Sequence, residues 1–248
     1  MSDHDNAAPV RIYVAGGLQA GRDCPLPAPQ ARHVARVLRL AEGDALTLFN
    51  GDGVEYDAVV ARATRDDVTV KIRGTRAGLP EPALDITLGQ ALSSGERMDY
   101  TVQKAVELGV AAVHPVEAHR SVVRLDAARA QKRVQHWQSV VISACEQCGR
   151  NVIPPVAPVA ALDAWLAPRA PALRVLLSPR GEVRLLDLPR PEGPVRLLAG
   201  PEGGFTRDEE DRARGAGYTL VRLGPRVLRT ETAAVAALAA MQTLWGDF

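Results

Sequence analysis

The chain has 248 residues, 46% hydrophobic and 24% charged, with a formal net charge of +1. That composition is ordinary for a globular protein and excludes long disorder, a collagen-like repeat and a disulfide scaffold. No apolar run nears the roughly 18–20 residues of a membrane-spanning helix, and the polar, acidic start MSDHDNAAPVR lacks the character of a signal peptide.

Three cysteines (Cys24, Cys145, Cys148) cannot all pair, so the expectation is a cytoplasmic protein with reduced thiols. Of the 30 basic residues only Lys71, Lys104 and Lys132 are lysines, a bias that genomic base composition can produce. A charge near zero neither marks nor excludes a nucleic-acid binder, because patches matter more than sums. The few aromatics form no stacking cluster, so contact with RNA would run through arginines and shape.

Residues 10–74 alternate in short runs: VRIYVA (10–15), DALTLFN (44–50), EYDAVVARA (55–63) and DVTVKIRG (67–74). Asn50-Gly51-Asp52-Gly53 is a hairpin signal between the second and third runs. A helix is expected over 28–41, with Val34, Val37, Leu38 and Ala41 on one face. Closely spaced short strands predict a small β-barrel. Residues 75–83, with Gly78, Pro80 and Pro82, read as a linker.

Beyond the linker, strands and helices alternate. LDITLGQAL (84–92) is an apolar strand, and 95–109 a helix closed by Gly109. AAVHPVEA (111–118) is a strand, and 126–149 a long helix capped by Asp126. LRVLLSP (173–179) and VRLLAG (195–200) are near-continuous apolar runs, as in strands buried on both faces. Thr206-Arg207-Asp208-Glu209 is a capping box, TLVRLG (219–224) a strand, and 230–246 an Ala-rich helix. This alternation predicts a parallel α/β domain.

Two segments carry the chemistry. In GPEGGFTRDEE (200–210) a buried strand runs into a glycine loop and then a capped helix, so backbone groups can approach a ligand. No Gly-Lys-Ser/Thr follows and no G-x-G-x-x-G is present, which argues against a P-loop and a dinucleotide fingerprint. On loop chemistry alone, a well-made strand–helix turn explains it equally. In LGPRVLRTETA (223–233) a second strand ends in Gly-Pro, with Arg226 and Arg229 read either as ligand-facing cations or as solvated charges. Ligands of open parallel sheets bind beyond the carboxyl ends of the strands. The loops after 177, 199 and 223 should therefore share one edge and form a mostly uncharged pocket that suits a nucleoside better than a triphosphate.

Cys145-x-x-Cys148 has no second pair to complete a zinc site and ends a helix instead of opening one, so it is expected to be structural. The histidines are not spaced as ligands. No metal is expected, and His114, before Pro115, reads as structural. Arg32, Arg36 and Arg39 fall on one helical stripe, and Arg129, Lys132, Arg133 and His136 on another; each is either a phosphate-contacting face or a solvated one.

HVARVLRL (33–40), GERMDYTVQKAVELGV (95–110), ACEQCGRN (144–151), LLAGPEGGFT (197–206) and LGPRVLRTETA (223–233) in this order resemble the RsmE family. Its members are bacterial 16S ribosomal RNA uridine N3-methyltransferases of the SPOUT superfamily. The resemblance runs from about residue 10 to the C-terminus, and departs at His119, where the pattern has an acidic residue. It implies a PUA-like RNA-binding barrel over 1–74 and a SPOUT α/β methyltransferase domain over 84–248 with a deep trefoil knot, an exception to the rule against threaded loops. It also implies a homodimer acting on 16S rRNA in the small ribosomal subunit.

The implied cofactor is S-adenosyl-L-methionine, held by Leu177, Ser178, Gly200, Glu202, Gly203, Gly204, Leu223, Gly224, Pro225, Arg226 and Leu228. The implied RNA contacts are Arg32, Arg36, Arg39, Arg120, Arg129 and Arg133. Because the sulfonium methyl is already activated, the enzyme must align it with uridine N3 and remove the N3 proton. Arg150, open to donation from a partner subunit, and Arg229 would stabilise the uridine anion, while Glu231 or Glu202 takes the proton. The competing readings are a SPOUT enzyme for another nucleotide or for ribose 2′-OH, and a non-enzymatic RNA-binding assembly factor.

Overall fold

The computed structural model describes residues 10–167 and 171–248; the polar start at 1–9 lies outside the described residues. The chain divides into two compact units. One runs up to Glu81 and takes in Cys145–Ile153, and the other comprises Pro82–Ala144 and Pro154–Phe248.

The alternating runs of the first unit become β1 (Arg11–Tyr13), β3 (Ala45–Phe49), β4 (Val54–Ala63) and β5 (Val68–Ala77), joined by an unforeseen β2 (Asp23–Pro25). They form one five-stranded sheet in the order β1-β3-β4-β5-β2, antiparallel except for β1 with β3. Among the described residues the edge strands β1 and β2 are not hydrogen-bonded to each other, so the small barrel expected here stays open along that seam. Both edges have only three residues, and Pro25 cannot donate to a ladder. Two register shifts in the β4–β5 ladder, at Asp57/Ala58 and Val60/Arg62, bend the sheet. Its core includes Ile12, Val34, Leu48, Val60, Val70 and Ile72.

The helix expected over 28–41 is shorter. It is α1 (Ala28–Arg32) followed by a π-helical turn at His33–Val37, and Arg39 at φ +56 ends it. The π turn shifts the register, so Val34 is buried but Val37 is 66% exposed, and the predicted apolar face breaks there. The expected linker begins later than 75, because β5 continues its pairing with β4 to Ala77.

In the second unit the sequence signals resolve into β6 (Ile86–Ala91), α2 (Gly95–Glu107), β7 (Ala112–Glu117), α3 (Ala127–Cys148), β9 (Leu173–Leu177), β11 (Val195–Ala199), α5 (Arg207–Gly215), β12 (Thr219–Arg222) and α6 (Thr230–Trp245). The short β8 (Ala160–Ala161), α4 (Leu162–Leu166) and β10 (Val183–Arg184) complete it. Seven parallel strands lie in the order β10-β12-β9-β11-β6-β7-β8. Central β11 is buried at every residue, including Arg196, whose guanidinium stacks on the Trp165 ring and donates to the Trp165 carbonyl (2.7 Å).

Caps fix the helix ends. Asp126 Oδ1 accepts the Arg129 N–H at the start of α3 (2.8 Å). Thr206 Oγ1 accepts from Glu209 N (3.1 Å) while Glu209 Oε2 accepts from Thr206 N (2.8 Å), closing the box that opens α5. Gly109, at φ +79, turns the chain out of α2.

Candidate active site

Strand order builds the site. β9 lies between β12 and β11, so the loops leaving these three parallel strands emerge side by side at their carboxyl ends. There they line a cavity of about 210 Å³, open at its mouth. Leu177 and Ser178 come from the first loop, Gly200, Glu202, Gly203 and Gly204 from the second, and Leu223, Arg226 and Leu228 from the third. Gly224 and Pro225 belong to the third loop but do not line the cavity.

Three features make the glycine loop. A side chain at Gly200 would meet the Phe205 ring at 3.1 Å, so the loop closes on an aromatic floor. Arg120 covers Gly203, donating from Nη1 to its carbonyl (3.1 Å). Gly204 has φ +64, a left-handed conformation that glycine adopts without strain, and the space beyond its Cα is open.

The wall carries more charge than the sequence predicts. Buried Glu210 accepts from Ser178 Oγ (2.5 Å), Arg180 Nε (2.9 Å) and Arg180 Nη2 (2.8 Å). Arg180 Nη2 also reaches the Phe205 carbonyl (2.9 Å), tying the first loop to the second. Thr230 Oγ1 donates to the Gly200 carbonyl (2.6 Å) and accepts from Gln90 Nε2 (3.0 Å), tying the start of α6 to the glycine loop. Glu210 escaped sequence reasoning because a carboxylate in a charged helical segment, RDEEDRAR, reads as solvated. Arg180 was signalled only by its place after the Ser178-Pro179 turn.

At the cavity wall, Glu202 Oε1 accepts from Ser94 N (2.9 Å) and Arg97 Nη1 (3.2 Å). Burial works against its charge, but these donors outweigh it and hold the Glu202 carboxyl below the usual carboxylate range. Glu231 Oε1 lies 3.9 Å from Arg97 Nε. Arg229, the residue before α6, is exposed.

Arg150 belongs to the first unit. Its guanidinium is ion-paired with Glu81 and 10% exposed, so its charge is already balanced within that unit. Around it Arg11 Nη2 donates to the Arg150 carbonyl (3.1 Å) and to Asn151 Oδ1 (2.7 Å), and Glu146 accepts from Tyr13 N (2.9 Å). The segment 145–151 thus packs against β1. Cys145 is buried there and Cys148 half-buried, both as free thiols, and burial pushes the Cys145 thiol up to about 12. Among the described residues no cluster of His, Cys, Asp and Glu is placed to hold a metal ion.

The basic residues Arg32, Arg36 and Arg39 are exposed, though the π turn and the left-handed Arg39 leave them on no single regular helix. Arg36 is paired with Asp66. Arg129 and Arg133 are exposed on α3, the former 3.4 Å from Asp126.

The second unit thus carries, at the carboxyl ends of parallel strands, a loop-lined cavity of the kind that binds nucleotide-type ligands in α/β proteins. Residues 80–242 match the RNA methyltransferase domain family, and residues 26–73 the RNA methyltransferase PUA domain family. The chain belongs to the ribosomal RNA small subunit methyltransferase E family. It is 36% identical to that enzyme from Mycobacterium tuberculosis, over 86% of this chain and 83% of the relative, and 32% identical to the one from Buchnera aphidicola, over 96% and 97%.

Among solved structures it resembles a Legionella pneumophila methyltransferase in complex with the cofactor SAM. The identity is 40% and the TM-score 0.95, covering 98% of this chain and all of the other. It also resembles the Neisseria gonorrhoeae ribosomal RNA small subunit methyltransferase E bound to S-adenosyl methionine, at 42% and 0.91, covering 97% of this chain and all of the other.

Proposed function

We propose that the chain transfers a methyl group from S-adenosyl-L-methionine to N3 of a specific uridine in 16S rRNA of the small ribosomal subunit. The observation that carries this reading is the convergence of three strand-end loops on one cavity of nucleoside character in a chain of this family. The open space at Gly204 and the apolar wall of Leu177, Leu223 and Leu228 fit an adenosyl group, and the carboxylate of Glu202 suits the positive charge of a sulfonium.

When bound, the cofactor supplies a methyl group already activated as a sulfonium. The chain must orient the base and move one proton. Glu231 accepts the N3 proton: its Oε2 is buried and has no hydrogen-bond partner among the described residues. Arg229, exposed at the start of α6, favours the negative charge that develops on the uracil ring. Arg150, held by Glu81, serves as a structural cation of the first unit. Arg32, Arg36, Arg39, Arg120, Arg129 and Arg133 contact RNA phosphates, which positions the substrate without reading its sequence.

We also read the second unit as knotted and the protein as a cytoplasmic homodimer. From β12, at one side of β9, the chain returns past the glycine loop to α6, which bonds to Gly200 through Thr230 and to the Leu108 carbonyl through Gln242 (2.9 Å). A trefoil needs such a return. Exposed Val227, Leu244 and Phe248 offer apolar surface that a second copy would cover. No helix of the described residues is long and apolar enough to cross a membrane.

The test is methyl transfer from labelled cofactor to purified small subunits lacking the modification, with nucleosides separated afterwards. Label in 3-methyluridine supports the reading, and label in another nucleoside or none contradicts it.

A further inference from the structure

Three segments distant in sequence meet at one guanidinium. Arg97 stands in the first turn of α2 and is 40% exposed. It reaches Glu202 of the glycine loop at 3.2 Å and Glu231 of α6 at 3.9 Å. The residue that precedes α2, Ser94, donates its backbone N–H to the same Glu202 oxygen (2.9 Å). The second oxygens of both carboxylates, Glu202 Oε2 and Glu231 Oε2, are buried without a hydrogen-bond partner among the described residues. Two half-buried carboxylates repel each other unless a cation stands between them, and Arg97 is placed as that cation. A guanidinium suits the task, because its fixed fork can address two acceptors in defined directions, whereas an ammonium is a single point charge.

We infer that Arg97 is a positioning residue for methyl transfer, clamping the glycine loop through Glu202 and setting the place of Glu231 against it. This rests on the reading of Glu231 as the proton acceptor. The cofactor is held by the loop on one side of the clamp and the proton by Glu231 on the other. A misplacement of about 1 Å between such groups costs up to roughly a hundredfold in rate. Arg97 acts through the two glutamates and needs no contact with uridine or cofactor. In the sequence GERMDY marks a helix start within a family motif, and the pairing of Arg97 with Glu202 and Glu231 is visible only once the segments are brought together.

The experiment compares wild type with Arg97→Ala, Arg97→Lys, Glu231→Gln and the double variant Arg97→Ala/Glu231→Gln, each as the full chain. Labelled S-adenosyl-L-methionine and unmodified small subunits are the substrates, and thermal melting and cofactor calorimetry check the fold. Arg97→Ala is expected to lower kcat by roughly tenfold to a hundredfold while KM for the subunits stays within about threefold. Arg97→Lys recovers part of the loss, and Arg97→Ala costs less in the Glu231→Gln background than in wild type, because part of the arginine's effect runs through that carboxylate and the rest through Glu202.

Wild-type kcat in Arg97→Ala, or losses that simply multiply in the double variant, overturns the inference while leaving the reaction assignment standing. A fully active Glu231→Gln overturns the proton-acceptor reading and this inference with it. Should Arg97→Ala fail to fold, Arg97→Lys decides: full activity overturns the inference, and a kcat deficit at unchanged KM, smaller in the Glu231→Gln background, supports it.

Discussion

Gly204 holds φ +64 beside open space, so a side chain there acts through the backbone and not through a clash. A β-branched residue forced into that region is strained by about 1–3 kcal/mol. The loop would relax by moving its N–H and C=O groups, and a valine side chain would project into the free volume. Gly204→Val is therefore expected to weaken cofactor binding by about tenfold or more in calorimetry, in a variant that stays folded with a melting temperature lowered by several degrees. Undiminished affinity in the folded variant would remove the glycine loop from the site.

Cys145 offers a second residue-scale check. An unfolded thiol releases its proton near pH 8.5, whereas the buried one holds it to about 12. Between those values the native state keeps a proton that the unfolded chain has lost. Stability is therefore complete below about pH 8.5 and declines as pH rises, by about 1.4 kcal/mol per unit from this group. Urea unfolding at pH 8 and pH 10 should show a smaller decline for Cys145→Ala than for wild type; equal declines would contradict the burial account. At neutral pH both thiols can become Ser with methyl transfer near wild type.

At the scale of elements, charge reversal of Arg32, Arg36 and Arg39 is expected to weaken small-subunit binding. It should also lower the salt dependence by roughly one unit of slope for each phosphate contact removed. Arg36 is engaged by Asp66, so Arg32 and Arg39 should carry most of the effect. Filter binding across a salt series measures it, and an unaltered affinity and slope would remove this face from the RNA interface.

Long, strongly patterned elements were legible in the sequence. β11 declared itself by a near-continuous apolar run, and α5 by its capping box. β2, β8 and β10 were not legible, because two or three residues hold too little alternation to register. The π turn broke the predicted face at Val37 because helical spacing alone does not reveal an inserted residue. The three strand-end loops could be placed together from the parallel-sheet rule. Arg97, Arg180, Glu210 and Thr230 could not, since each joins the site through a side-chain partner many positions away.

At the scale of the molecule, the first unit is not a simple N-terminal domain. Cys145–Ile153, at the end of α3, belongs to it, with Arg11, Glu146, Asn151 and the Arg150–Glu81 pair in one network. Sequence order placed ACEQCGRN in the methyltransferase domain; contacts place it against β1. The two units thus share one continuous helix, α3. The central claim, that this architecture methylates N3 of one uridine in small-subunit RNA, is tested most directly by mapping modified nucleotides in 16S rRNA from cells with and without the gene. The account predicts one 3-methyluridine lost on deletion and restored by the wild-type chain but not by Gly204→Val. An unchanged modification map, or loss of a methyl group from a different nucleotide, would contradict it.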